Sequence, residues 1–109
     1  MKSDLPPVLD RYFAAQNAHD IDAMVACFAA DAAVLDEGRD IAGTEAIRAW
    51  KEETSAKYRV AVAPLECRAE DGRTVVVARV SGTFPGSPAN LTYRFRLADA
   101  GRIAALEIR

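Results

Sequence analysis

Apolar side chains recur at helical spacing through the first half of the chain and alternate with polar ones through most of the second. Leu5, Leu9, Tyr12, Phe13 and Gln16 share one helical face, which predicts a helix over about 5–18. Asp4 is placed to cap it, and Pro6 and Pro7 suit a first turn whose N–H groups lack partners anyway. Ile21, Met24, Val25 and Phe28 form the stripe of a second helix, capped by Asp20 or Asp22 and ending near Asp31. A short strand over 32–37 then sets Ala32, Val34 and Asp36 on one face and Leu35 on the other. The third helix, over 44–56, puts Ala46, Ile47, Trp50 and Thr54 on one side. Glu45, Arg48, Glu52 and Glu53 form its solvated face.

From Tyr58 onward the pattern is that of strands. Tyr58–Ala69 is β-rich, with Pro64 marking an edge or a bulge because proline donates no ladder hydrogen bond. Asp71-Gly72 is a hairpin turn signal, and Thr74–Phe84 follows with Val76, Ala78 and Val80 on one face. After the loop at Pro85-Gly86-Ser87-Pro88, Leu91, Tyr93, Phe95 and Leu97 alternate with Asn90, Thr92, Arg94 and Arg96. Asp99-Ala100-Gly101 turns the chain into a last strand, Ile103–Arg109. Helices first and strands afterwards indicate an α+β fold in the order α-α-β-α-β-β-β-β. A cone-shaped, curved, mainly antiparallel sheet closed on one side by three helices would leave a cavity at its mouth, the place for function.

Composition narrows this little further. At 109 residues the chain is expected to be one domain spanning 1–109, and half of its residues are apolar. A net charge of −2, with no run of either sign, excludes a general nucleic-acid binder and a polybasic membrane patch. Ala23–Ala30, the longest apolar stretch, falls far short of the ~20 residues that span a bilayer. The amino terminus lacks the apolar core of a secretory signal, so a cytoplasmic protein is expected. Cys27 and Cys67 form no CxxC motif and have one histidine for company, so no metal site is indicated. His19 is expected in a surface loop. Arginine far outnumbers lysine in an alanine-rich chain, a composition typical of a GC-rich bacterial genome.

Three side chains carry candidate chemistry. Asp36 sits on the apolar face of its strand, where burial would raise its proton affinity toward that of a general base. Tyr12 and Tyr93 lie on apolar faces from which both hydroxyls can converge opposite it. Together they suit proton transfer next to a carbonyl, with the tyrosines as oxyanion donors. Phe28 and Trp50 would wall such a pocket, along with Val76, Ala78 and Val80. Leu91, Phe95 and Leu106 would complete it. The same spacings are those of a core tyrosine, a strand-end carboxylate and filled aromatic packing.

The element order resembles the nuclear transport factor 2-like superfamily, with its SnoaL-like polyketide cyclases and ketosteroid isomerases. The resemblance rests on Arg11-Tyr12, Asp20-Ile21-Asp22-Ala23-Met24, the run Phe28–Asp36, Gly43-Thr44-Glu45-Ala46-Ile47 and Asp99-Ala100-Gly101-Arg102-Ile103. It implies that Tyr12 donates to an enolate oxygen, that Asp36 shuttles a proton, and that Tyr93 replaces a second, carboxylic donor. Phe28 and Lys51 occupy positions where some relatives keep tyrosines that support the first. The implied activity is a cofactor-independent isomerisation or aldol-type cyclisation of a small apolar carbonyl compound. Relatives that open epoxides use an Asp–Arg–Asp set; here Asp36 and Glu107, which is expected to share a face with Ile103 and Ala105, are the carboxylates on offer, but Arg94 alternates away from Tyr93, so the set would not converge.

A second class of function stays open. A cone filled by its own aromatic residues would be a ligand-binding or dimeric assembly module. Its outer sheet face, with Thr92, Arg94 and Arg96 beside Val75, Val77 and Arg79, suits a homodimer interface.

Overall fold

A computed structural model of the chain describes residues 5–36, 38–98 and 101–109. Among them run α1 (Pro7–Ala18), α2 (Ile21–Ala26), β1 (Phe28–Asp36), β2 (Arg39–Ala42), α3 (Thr44–Tyr58), β3 (Ala61–Glu70), β4 (Arg73–Ser81), β5 (Ala89–Leu97) and β6 (Ile103–Ile108). The strands form one sheet in the order β2-β1-β6-β5-β4-β3. Every pair is antiparallel except β1 with β6, so the sheet is mixed and open, with β2 and β3 at its edges. Among the described residues no helix is long and apolar enough to cross a membrane.

Local chemistry explains most boundaries. Asp20 accepts from the Ala23 amide at 3.1 Å and caps α2. Asp71 and Gly72 both hold positive φ, as a primed hairpin turn between β3 and β4 requires. Pro64 lies where the β3–β4 register shifts, and β3 is an edge strand. The expected cap at Asp4 and most of the turn at Asp99-Ala100 lie outside the described residues.

Four expectations are corrected. The second helix ends at Ala26, so Phe28 is the first residue of β1. Its ring still reaches the core, because helix and strand both deliver it to the same apolar layer. Arg39–Ala42 forms an additional strand, paired antiparallel with β1 through Val34↔Ile41 and Asp36↔Arg39. The buried face of α3 is Ile47, Trp50 and Lys51, while Ala46 is exposed. In β6, Ile103 packs into the core whereas Glu107 pairs with Arg94, because the β5–β6 register shifts between Arg96 and Leu97.

The core lies between the helices and the inner sheet face. Leu9, Tyr12 and Phe13 of α1, Met24 of α2 and Ile47 and Trp50 of α3 meet Val34, Val76, Ala78, Val80, Phe95 and Leu106 of the strands. Tyr12 meets Phe28 and Phe95 edge to face, with ring centroids 5.6 and 5.9 Å apart. Such contacts add about 0.5–1.5 kcal/mol each beyond the area they bury.

Candidate active site

Register alone brings two of the three candidate groups together. Asp36 pairs with Ile108, Ile108 with Tyr93 and Tyr93 with Val76, so all four stand in one row across the sheet. Residues paired in this way project from the same face. Asp36 and Tyr93 are therefore two strands apart, about 10 Å between backbones. Tyr12 comes down onto this face from α1, fully buried at 1% exposure.

Each candidate is held by identifiable partners. The Trp50 indole N–H donates to Asp36 Oδ2 at 3.0 Å, which fixes the carboxylate at the end of β1. Tyr93 stacks on Phe95 at 6.1 Å and meets Phe13 edge to face at 5.5 Å. Burial pushes the Tyr12 hydroxyl well up from its ordinary value, and the charges of Tyr93, Asp36 and Cys27 push it further. Burial also raises Tyr93, and Asp36 adds to the effect. Both phenols therefore stay protonated and able to donate at any ordinary pH. Asp36 thus acts electrostatically on both tyrosines, whose rings each contact Phe13 and Phe95.

Lys51, whose position only the resemblance had marked, is the group that periodicity left out. Lys51 is 3% exposed, and its Nζ donates to the Tyr12 hydroxyl oxygen and, at 2.8 Å, to Gln16 Oε1. The ammonium lies over the Trp50 ring, 4.1 Å from its centroid, a cation–π contact. Burial lowers Lys51 to about 7, against the opposing pull of the Asp36 charge. Its signal in the sequence was positional: Lys51 follows Ile47 by four residues, on the same helix face.

The wall residues Phe28, Trp50, Val76, Ala78, Val80, Phe95 and Leu106 are buried in the one core cluster. Leu91 is half-buried and packs against it. Arg94 lies in the row Leu35↔Glu107↔Arg94↔Val75 of the opposite face, 3.8 Å from Glu107. It does not join Asp36, so Asp36, Arg94 and Glu107 form no set of the Asp–Arg–Asp kind. His19 is exposed and ends α1 in the left-handed conformation. A separate open groove of about 370 Å³ beside it is lined by Ile21, Glu52, Ser55, Ala56 and Arg59.

Comparison with known proteins bears on the family and the fold. Residues 9–106 match the profile of the SnoaL-like domain. A Sinorhizobium meliloti protein proposed to be a polyketide cyclase is 43% identical, with 97% of this chain and 96% of that one covered at a TM-score of 0.92. SalBIII, an epoxide hydrolase/cyclase-like enzyme in pyran ring formation of the polyether salinomycin, is 22% identical (93% and 85% covered, TM-score 0.80). A Catenulispora acidiphila protein with a ketosteroid isomerase-like fold, solved with trimethylamine, is also 22% identical (95% and 85% covered, TM-score 0.82). No curated protein matches the sequence.

Proposed function

The chain belongs to the SnoaL-like domain family, and from that membership we propose that it moves protons on a compact, mostly apolar carbonyl compound. Asp36 removes a proton from the carbon next to the carbonyl. Charge then develops on the carbonyl oxygen, where Tyr12 donates a hydrogen bond and Tyr93 a second. Returning the proton from Asp36 to another carbon completes an isomerisation. Attack of the enolate on a second carbonyl gives instead an aldol-type ring closure, the proton that Asp36 removed passing to the new alkoxide so that both tyrosines end as they began. Neither route calls for a cofactor.

The observation that carries this reading is the cluster itself. An oriented carboxylate shares a cross-sheet row with one phenol and acts electrostatically on another, and both phenols are held protonated. The 43% identical Sinorhizobium protein, proposed to be a polyketide cyclase, supports the cyclase form of the reaction. The test is solvent deuterium exchange into a panel of ketones and β-dicarbonyl compounds, followed by NMR. Exchange faster than background, lost in Asp36→Asn, is expected; equal rates for the two proteins would overturn the proposal.

Tight packing of the wall supports a second reading. Tyr12, Tyr93 and Phe95 are 1%, 5% and 0% exposed, as in a core that holds a ligand without transforming it. On that reading Asp36→Asn and Tyr12→Phe would leave ligand affinity within a few-fold. We further propose that two copies pair through the outer sheet face around Arg94 and Arg96; a chain monomeric throughout a sedimentation concentration series would exclude it.

A further inference from the structure

The proton-transfer reading leaves Lys51 without a role, yet it is the most completely enclosed cation among the described residues. An ammonium has three N–H donors and no lone pair. Here one donor goes to the Tyr12 oxygen, one to Gln16 Oε1, and the Trp50 ring takes the face that remains. A tyrosine hydroxyl has a single proton. When its oxygen accepts from an ammonium, that proton has to point elsewhere, and Tyr12 then has a donor to give.

A neutral amine behaves differently, because it carries a lone pair and can accept. Tyr12 could then turn its proton onto Nζ and withdraw it from any bound oxygen. We propose that Lys51 is a positioning residue whose charged form holds Tyr12 as an acceptor and so aims the tyrosine proton at the ligand oxygen. The proposal rests on the reading of Tyr12 as an oxyanion donor. It makes affinity for an oxygen-bearing ligand depend on the protonation of a lysine that never touches the ligand.

The groups facing Lys51 set the direction of that dependence. From α1 come Tyr12 and the uncharged Gln16, from β1 the Asp36 carboxylate, and from α3 itself Trp50. Tyr93 and Cys27 act on Tyr12, one step removed. Burial lowers the lysine to about 7 while Asp36 supports its charge. Ligand binding should therefore weaken as pH rises through neutrality.

Two measurements on the full chain test this. In the free protein, Lys51 carrying ¹³C at Cε is titrated by NMR. Its midpoint is expected near 7, falling in Asp36→Asn and in Tyr12→Phe, each of which removes a group that favours the ammonium. A Lys51 midpoint near the ~10.4 of an unperturbed lysine, or one indifferent to both variants, would overturn the proposal. The second probe is 2-naphthol, a planar phenol that can donate to Asp36 and accept from Tyr12, measured below and above neutrality.

Wild-type affinity should fall roughly ten- to a hundredfold across the lysine midpoint, the span of one hydrogen bond to a charged group. Lys51→Met should bind weakly with a flat pH profile, and Lys51→Arg, charged throughout, tightly with a flat one. Identical pH curves for wild type and Lys51→Met would overturn the proposal. Failure of 2-naphthol to bind the wild type at any pH would instead remove the oxyanion reading of Tyr12, with the NMR midpoints still deciding whether Lys51 holds it.

Discussion

The two faces of the sheet use the same kinds of residue to opposite effect. On the inner face Lys51 donates to Tyr12 and Gln16, Trp50 donates to Asp36, and Lys51 lies over the Trp50 ring, with Lys51 3% and Tyr12 1% exposed. On the outer face Arg94 and Glu107 stand 3.8 Å apart, their side chains 32% and 24% exposed, and Arg109 adds a second contact to Glu107 at 3.1 Å. Consecutive residues of one strand, Tyr93 and Arg94, belong to the two different regimes. Water decides the difference. Excluded from the inner face, it no longer screens charge, so each group there alters its neighbours' proton affinity. Retained on the outer face, it leaves ion pairs worth about 0–1 kcal/mol.

The comparison breaks first at Asp36. Under the proposed function Asp36→Asn keeps the acceptor oxygen that Trp50 uses and removes the base. Turnover of the identified carbonyl compound should fall about 10²–10⁴-fold, the usual contribution of a positioned base, with the melting temperature little changed. Steady-state kinetics beside a thermal melt check both halves. Lost folding together with lost turnover would make the carboxylate structural.

Lys51 gives the next largest effect, on stability. An unfolded lysine titrates near 10.4, and burial brings Lys51 down to about 7. Between those values the unfolded chain binds a proton that the folded chain does not. Stability therefore rises with pH across this window and is lost again as pH falls back through about 7. The full span is of order 5 kcal/mol. The buried tyrosines act oppositely: their stabilising contribution holds below about 10 and is lost as pH climbs beyond, which closes the window from above. Urea unfolding near neutrality and at moderately alkaline pH should show this slope in the wild type and its absence in Lys51→Met. The variant should be the more stable protein on the acid side.

Tyr12→Phe tests the inner face more gently. Loss of one oxyanion donor should lower turnover about 10²–10³-fold. A buried Lys51 short of one acceptor should cost about 1–3 kcal/mol of stability. Turnover within a few-fold of wild type would assign Tyr12 to packing alone.

What the sequence disclosed follows the same division. The inward placement of Asp36, Tyr12 and Tyr93 was legible because each sits at a polar-tipped position within an apolar period, two residues from Val34, one turn from Leu9 and two residues from Leu91. Local turn chemistry, as at Asp71-Gly72 and Pro64, was legible for the same reason. The burial of Lys51 was not, since the resemblance marked its position but a face drawn through Ala46, Ile47, Trp50 and Thr54 leaves it out. Only the packing of α1 against α3 supplies its acceptors, Tyr12 and Gln16, 39 and 35 residues away in the chain. The strand Arg39–Ala42 offers a single buried position, Ile41, too little for alternation to register. The parallel pairing of β1 with β6, which sets Asp36 beside Ile108 and so in the row of Tyr93, joins opposite ends of the chain. No local pattern encodes it.

The smallest effect is expected on the outer face, and it sharpens the contrast most. Glu107→Gln removes the carboxylate that Arg94 and Arg109 share. In a dilute, monomeric sample the loss should not exceed about 1 kcal/mol and should shrink with added salt, because the pair is solvated. If two copies meet through this face, water leaves it too. Two arginines without their carboxylate would then be buried together, and the loss measured in a concentrated sample should exceed the dilute value. Denaturant unfolding at the two concentrations separates these cases. A larger loss on concentration would give the outer face the inner face's physics within the dimer. Equal, salt-sensitive losses at both concentrations would leave it solvated and exclude pairing through the sheet.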